Sequence, residues 1–300
     1  MDAIKIKHLR KCFRSNFYFR KIPVLRDINL QVRSGEIYGF LGPNGAGKTT
    51  TIKCLLNLIH YDSGEIEILG KNSRHIGIRG EIGYLPEHPY FYPHLTAEEL
   101  LRFYAHLFSI PISRNRIQDL IRKVGLEGKG KIKLQKYSKG MIQRIGIAQS
   151  IINDPRIVIL DEPFSGLDPI GRKDLRDLIL ELRDEGKTVF FSSHILHDIE
   201  ALVNRVGIIF NGVTLKEGRI SEMVEKTAHS HEILFTLPGG TSPDSLGLKI
   251  QQKDNKFFVK VGNEEKDRFI SRVIASRGRI LSVSPNRMTL ENIFLEEIQK

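Results

Sequence analysis

Apolar and polar residues near the start of the chain alternate in a way that predicts strands. Residues 4–9 and 28–33 follow this period of two, as half-buried antiparallel strands do, and "SGEIEILGK" predicts a further strand. Residues 37–41 are a continuous apolar run, typical of a buried strand, and residues 49–59 have the spacing of a helix. This part of the chain therefore combines an antiparallel layer with a strand–loop–helix unit.

The middle of the chain predicts helices. Thr96 is a typical helix start, because Glu98 and Glu99 follow in the first turn, where acids interact well with the helix dipole. "AEELLRFYAHLFSI" carries apolar residues at helical spacing, "RIQDLIRKVGL" predicts a second helix, and a third begins near Ser138. We therefore expect a helical subdomain over about residues 88–150.

Strands and helices then alternate. "RIVILDEP", "TVFFSSH" and "RVGIIFNG" predict strands, and the helices between them cover "IGRKDLRDLILELRDEGK" and "ILHDIEALVN". This alternation indicates a mixed or parallel sheet in an α/β fold.

The pattern changes again after about residue 220. "HEILFTL", the hairpin "KIQQKDNKFFVKV" and "RILSVS" predict strands, and "TLENIFLEEIQK" predicts a final helix. Another helix is expected between Asn263 as its cap and Gly278 as its stop. We therefore expect two domains, residues 1–220 and a small α+β domain over residues 221–300.

Composition is that of an ordinary globular protein, with 40% hydrophobic and 27% charged residues in 300. No apolar run approaches the roughly 18 residues that span a bilayer, and the charged, alternating N-terminus is unlike a signal peptide. Cys12 and Cys54 fit no metal-binding or redox spacing. We therefore expect the protein to stay in the cytosol.

Positive charge is concentrated in two segments. The net charge is +11, with nine basic residues against one acidic from Lys5 to Arg33, and ten against two from Arg114 to Arg144. Surfaces of this kind suit nucleic acid, anionic lipid head groups or phosphorylated ligands.

The segment "GPNGAGKT" matches the phosphate-loop pattern GxxxxGK[ST] between a predicted strand and a predicted helix. Glycines let backbone N–H groups surround an anion, and the helix N-terminus adds partial positive charge. Lys48 would reach the β- and γ-phosphates, and Thr49 would supply a hydroxyl for Mg²⁺. The predicted nucleotide-binding residues of this loop are Gly42, Pro43, Asn44, Gly45, Ala46, Gly47, Lys48, Thr49 and Thr50.

Two carboxylates follow the strand "RIVIL". Ligands of open α/β sheets lie at the carboxyl ends of the strands, so Asp161 is expected to hold the metal. Glu162 is placed to orient or deprotonate an attacking water.

A second helix start suited to anions precedes these carboxylates, in "YSKGMIQRIGIAQSII". Ser138 is a suitable N-cap, and Gly140 permits close backbone approach. One nucleotide does not need two helix N-termini for its terminal phosphate. A second chain could present this helix to a phosphate held by the first, and a two-fold dimer would complete two sites at once.

Six segments resemble the motifs of the ATP-binding cassette (ABC) family in their order and spacing, over residues 1 to about 220. They are "GPNGAGKTT", "YLPEHPYFYPHLT", "YSKGM", "ILDEP", "SGLDP" and "SSH". The resemblance implies a P-loop NTPase fold with an antiparallel β subdomain, a RecA-like core and a helical subdomain. It also implies roles for further residues: adenine stacking by Phe13, γ-phosphate sensing and Mg²⁺ contact by Glu87, binding of the opposite chain's γ-phosphate by Ser138 and Gly140, cross-linking of the two halves by Asp168, and γ-phosphate and water contact by His194. The implied catalytic residues are Glu162, His194 and Lys48, and the implied metal ligands are Thr49, Glu87 and Asp161.

Three departures from the family pattern affect these roles. Glu87 stands where glutamine is usual, and the signature reads "YSKGM", in which Lys139 either contacts phosphate or points to solvent; we favour solvent. Met141 cannot make the ribose hydrogen bond of the usual glutamine. The segment "RSNFYFRK" lengthens the turn after Phe13, so Phe17, Tyr18 or Phe19 could stack on adenine instead or form a patch against lipid head groups.

The resemblance implies an ATPase that uses ATP and Mg²⁺ to drive a separate transmembrane permease subunit. Its motifs and appended domain are similar to bacterial exporters of the drug, sodium and polysaccharide or lipid type. We expect a homodimer or a pair with a paralogue, peripheral at the cytoplasmic face of the inner membrane. The alternative is a non-transport ABC ATPase on nucleic acid or the ribosome. We do not expect nucleic acid, because tandem cassettes, long coiled coils and zinc-binding cysteines are not visible. A small-molecule kinase would leave "YSKGM" and "SGLDP" unexplained.

Overall fold

The chain forms two units in a computed structural model, Met1–Arg219 and Ile220–Lys300. The structure describes residues 1–14, 21–195, 202–225, 230–238, 246–248, 250–253, 256–285 and 294. Within this part of the chain, no helix is both long enough and apolar enough to span a membrane.

Strands and helices of the first unit follow one another as a mixed α/β fold. Its described strands are β1 (Asp2–Arg14), β2 (Lys21–Arg33), β3 (Ile37–Leu41), β4 (Ser63–Ile68), β5 (Lys71–Asn72), β6 (Ile82–Leu85), β7 (Ile157–Leu160), β8 (Thr188–Ser193), β9 (Arg205–Phe210) and β10 (Val213–Arg219). Its described α-helices are α1 (Lys48–Leu55), α2 (Ala97–Leu107), α3 (Arg114–Lys123), α4 (Lys139–Ser150) and α5 (Pro169–Asp184).

The strands form one sheet in the order β5-β4-β1-β2-β10-β9-β3-β8-β7-β6. At one end β1 pairs antiparallel with β2 and β4, and at the other β6, β7, β8, β3 and β9 run parallel. Both regions were expected from the sequence. Because the parallel strands end at one edge, the segments after β3, β7 and β8 come together there.

Helices α2 to α4 occupy the region expected to be helical, and each begins at a capping side chain. Thr96 accepts a hydrogen bond from the Glu99 N–H and forms a capping box with it, whereas Ser113 caps α3 only by accepting from the Arg116 N–H. Arg144 joins α4 to α5 through a 2.6 Å ion pair with Asp174.

Several element boundaries differ from the sequence predictions. β1 and β2 are longer than predicted, because register shifts in their ladder interrupt the alternation. α1 ends at Leu55 rather than residue 59, with Asn57 in the left-handed region at φ 53°. β6 and β10 were not predicted. β10 is polar and is held by its antiparallel pairing with β9.

The second unit contains α6 (Ile220–Glu225), β11 (Ser230–Thr236), β12 (Gln251–Lys253), β13 (Lys256–Gly262), α7 (Lys266–Ala275) and β14 (Arg279–Pro285). Its sheet has the order β12-β13-β11-β14, and Phe235, Phe257 and Phe269 pack together in its core. The prediction that Asn263 caps a helix is wrong. A turn that joins the Glu265 N–H to the Gly262 carbonyl delays the start of α7 to Lys266. The predicted helices "ILHDIEALVN" and "TLENIFLEEIQK" fall mostly on residues outside the described ranges.

Candidate nucleotide site

The phosphate loop joins β3 to α1 at the carboxyl edge of the parallel strands. Its first residue, Gly42, donates to the Ser193 carbonyl at the end of β8 over 3.2 Å. A Cβ at Gly42 would lie 2.3 Å from the Ile209 carbonyl oxygen, and a Cβ at Gly47 would lie 2.7 Å from Leu25 Cδ2. Gly47 also has φ 111°, which side-chain-bearing residues rarely adopt. Glycine is therefore required at both positions.

Helix α1 begins without a side-chain cap. Its N-cap is Gly47, whereas Thr96, Ser113, Ser138 and Asp168 each cap a helix with a side-chain oxygen. The first N–H groups of a helix have no intrahelical acceptor and carry the positive end of its dipole. This start therefore fits an anion such as a phosphate group.

Lys48 links the loop to the carboxylate strand. It is buried, and its Nζ donates to the carbonyls of Gly42 (2.7 Å) and Pro43 (3.1 Å). Nζ also lies 3.0 Å from Glu162 Oε1. The cation is thus held at the side of the loop that faces the end of β7.

Asp161 lies at the end of β7 and is fully buried. The Ser192 hydroxyl donates to Asp161 Oδ1 over 2.6 Å, whereas Oδ2 has no hydrogen-bond partner among the described residues. Burial raises the pKa of this carboxyl, the Ser192 and Thr49 hydroxyls oppose that change, and the charges of Glu162 and Glu87 add to it. Burial and the neighbouring carboxylates therefore disfavour the charged form of Asp161.

These oxygens fit Mg²⁺. An unpaired carboxylate oxygen on Asp161, the nearby Thr49 hydroxyl and the Glu87 carboxylate are the hard ligands that this ion prefers. Within the described ranges, no group of three or more His, Cys, Asp or Glu residues could hold a metal. Mg²⁺ does not need one, because it is usually bound by one or two carboxylates, phosphates and water.

Glu162 occupies a strained backbone conformation between Lys48 and His194. Its φ of 49° lies in the left-handed region. Its Oε2 lies 2.8 Å from His194 Nδ1 and accepts from the His194 N–H over 3.3 Å. Its Oε1 faces Lys48, and its side chain is only 6% exposed, against 38% for His194. The carboxylate is therefore oriented from both sides, as a general base requires.

The second helix start, at α4, is exposed and lies against its own chain's "SGLDP" loop. Ser138 caps α4 by accepting from the Met141 N–H over 3.3 Å. A Cβ at Gly140 would lie 3.4 Å from Leu167 Cδ2. The Lys139 side chain is exposed, as expected, and its outer atoms pass beside Gly166.

Two further predicted residues lie on β1 and at the start of α5. Asp168 is exposed and caps α5, where it accepts from the Gly171 N–H over 2.8 Å.

Phe13 is 41% exposed, with Lys11 Nζ 5.2 Å from its ring centre. Phe13 pairs with Ile22 on β2. Three residues further along β2, Leu25 meets Gly47. Phe17, Tyr18 and Phe19 lie outside the described residues. Adenine stacking thus stays a prediction.

Known proteins resemble this chain over most of its length. The family described as "ABC transporter" matches residues 25–165. An uncharacterised ABC transporter ATP-binding protein of Nostoc sp. is 39% identical, over 100% of this chain and 90% of the relative. The chain belongs to the ABC transporter ATP-binding family. A bacitracin transport ATP-binding protein of Bacillus licheniformis is 49% identical over 63% of each chain. A solved dimeric bacterial ABC transporter cassette is 25% identical, with a TM-score of 0.66 over 72% of this chain and 98% of that one.

The comparisons confirm the family and the fold class that the motifs predicted. This ABC subunit is an ATPase that binds ATP and serves a transport system. Sequence reasoning missed Ser192, whose Oγ accepts from the Glu162 N–H over 2.9 Å and donates to Asp161. Two adjacent serines in the otherwise apolar strand "TVFFSSH" were the available signal.

Proposed function

We propose that this chain is the motor subunit of an ABC exporter, in which two copies bind two ATP molecules head to tail and drive a separate permease. One observation carries the proposal: besides the uncapped start of α1, the chain exposes a second helix start, that of α4, where Ser138 and Gly140 are expected to approach a phosphate. The start of α1 lies beside Lys48 and Glu162, whereas the start of α4 is exposed at Ser138. The α4 helix of a partner could therefore complete the nucleotide site of the first chain. By two-fold symmetry, the α4 helix of the first chain would complete the partner's site.

Each site residue has a distinct task in hydrolysis. The phosphate loop and Lys48 bind the phosphates, and Thr49, Asp161 and Glu87 would hold Mg²⁺. When bound, Mg²⁺ neutralises charge that develops on the phosphate oxygens. Glu162 accepts a proton from the attacking water, and His194 holds the Glu162 carboxylate in place.

Residues outside the phosphate loop complete the nucleotide site. Phe13 stacks on adenine. The partner's signature helix contacts the γ-phosphate through the positions of Ser138 and Gly140, and Asp168 cross-links the two halves.

Exposed aromatic and apolar residues lie on the segment that follows Glu87 and on helix α2. We define the aromatic group as Tyr90, Tyr92, Phe103 and Leu107, which are 88%, 52%, 40% and 60% exposed. The rings of Tyr92 and Phe103 meet edge to face at 6.1 Å. Because contiguous exposed apolar residues mark interaction surfaces, we assign this group to the permease. The chain would then lie at the cytoplasmic face of the membrane through its partner. The bacitracin transport ATP-binding protein supports a role in transport, and export is inferred from the motifs alone.

Glu162→Gln tests the shared site. Because the amide cannot accept the water's proton, we expect ATP hydrolysis to fall at least about a hundredfold, whereas ATP binding persists. Gel filtration should show a monomer without nucleotide and a dimer with ATP and Mg²⁺. A variant that hydrolyses ATP slowly and stays monomeric with ATP would contradict the proposal.

A further inference from the structure

Exposed lysines follow one another in the segment that connects α3 to α4. We define the basic strip as Lys129, Lys131, Lys133 and Lys136, all of which are exposed. From residue 128 to residue 153 the chain contains no Asp or Glu. The proposed nucleotide site does not use these side chains, because its contribution from α4 begins at Ser138.

Backbone hydrogen bonds fix the basic strip beside the segment that leads into α2. The Leu134 N–H donates to the Leu95 carbonyl over 2.8 Å, and the Gln135 N–H donates to the Pro93 carbonyl over 2.9 Å. The lysines therefore project from a braced segment rather than from a loose loop.

The basic strip also adjoins the surface that we assign to the permease. Pro93 directly follows Tyr92, whose ring packs on Phe103 in the aromatic group. A permease docked on the aromatic group would bring the neighbouring lysines close to the membrane. Lysines beside exposed aromatic rings are typical of surfaces at a membrane interface.

We propose that the basic strip binds anionic lipid head groups at the membrane surface. This inference rests on the proposed function, because the permease would bring the strip to the bilayer. RNA phosphates could satisfy the same charges, but nucleic-acid surfaces favour arginine, and the strip contains only lysine. The lysine ammonium is a point charge that needs no fixed geometry in its partner, as a fluid lipid surface requires.

The test measures binding of the full chain to phosphatidylcholine vesicles with and without phosphatidylglycerol. The wild-type chain should cosediment with the anionic vesicles and dissociate at high salt. The triple variant Lys129→Gln, Lys131→Gln, Lys133→Gln should bind the anionic vesicles at least about tenfold more weakly, because each lysine near an anionic surface strengthens the binding. Lys136 is left unchanged because it lies close to Ser138.

A matched control removes the same charge elsewhere. The variant Lys71→Gln, Lys256→Gln, Lys260→Gln alters three other exposed lysines, and it should bind anionic vesicles within about twofold of the wild type. An equal loss in both triple variants would overturn the inference, because net charge alone would then explain the binding.

RNA is the competing partner in the same assay. If transfer RNA displaces the vesicles and binds with the stronger dependence on Lys129, Lys131 and Lys133, the lipid assignment is wrong. The proposed function is judged separately, by ATP-dependent dimerisation of Glu162→Gln. That dimer should form whether or not the basic strip is altered. Its failure would contradict the proposed function, and failure of vesicle binding alone would contradict only this inference.

Discussion

Among single residues of the candidate site, Asp161 is the buried carboxylate for which the described residues supply no ion-pair partner, whereas Glu162 is paired with Lys48. Asp161 is buried, its Oδ1 accepts from the Ser192 hydroxyl, and its Oδ2 is unpaired among the described residues. A buried carboxylate of this kind disfavours its charged form. The site therefore gives up folding stability that a metal ion and phosphates can restore on binding.

The pH dependence of stability tests this residue-scale claim. Burial raises the pKa of Asp161, so the folded protein binds this proton more tightly than the unfolded chain does. The stability from this group is present below its unfolded pKa and is lost as the pH rises through its folded pKa. Asp161→Asn should therefore raise the melting temperature at pH about 8, and its advantage should shrink towards pH about 4, while ATP hydrolysis is lost.

Asp154→Asn is a control for which we expect the opposite effect on stability. A hydrogen bond from Lys187 lowers the pKa of Asp154, so its stabilisation is present above the unfolded pKa and is lost as the pH falls through the folded pKa. The melting temperature of this variant should be lower than that of the wild type at pH about 8, and the two values should converge in acid. Thermal unfolding monitored by circular dichroism measures both. An Asp161→Asn protein that is less stable than the wild type at every pH would contradict the assignment.

Among the elements of the first unit, α4 is joined to its neighbours by the Arg144 side chain. Arg144 donates to Asp174 on α5 and to the Val124 carbonyl after α3. The helix start is exposed, but Gly140 lies against Leu167 in the "SGLDP" loop. A shift of that loop would therefore also shift Ser138. The loop and the start of α4 would face a partner chain together.

Ser138→Arg tests the role of this helix start. A large cation at the cap would block approach of another chain's phosphate without touching the chain's own loop. We expect hydrolysis to be lost, whereas ATP binding to the isolated monomer, measured by equilibrium dialysis or calorimetry, changes less than about twofold. Loss of the Ser138 cap should cost only about 1 kcal/mol of stability. Equal losses of hydrolysis and monomer binding would mean that α4 serves the site of its own chain.

At the scale of the whole molecule, the sequence predicted the parts whose chemistry is local. The phosphate loop and the carboxylates at Asp161 and Glu162 could be predicted because strand–loop–helix spacing and residue type suffice. The position of Lys139 over Gly166 and the bridging by Ser192 could not, because both depend on segments distant in the chain. For the same reason β10 was not predicted, because it is polar and is defined by its pairing with β9.

The central claim is that each ATP lies between two copies of the chain. Its most direct test mixes Lys48→Ala, which lacks a working phosphate loop, with Ser138→Arg, which lacks a working signature helix. Each variant alone should be inactive. A mixed dimer would contain one intact site, formed by the loop of one chain and the helix of the other, so mixing should restore about a quarter of wild-type ATPase activity. A mixture as inactive as its components, although mixed dimers form, would contradict the shared site.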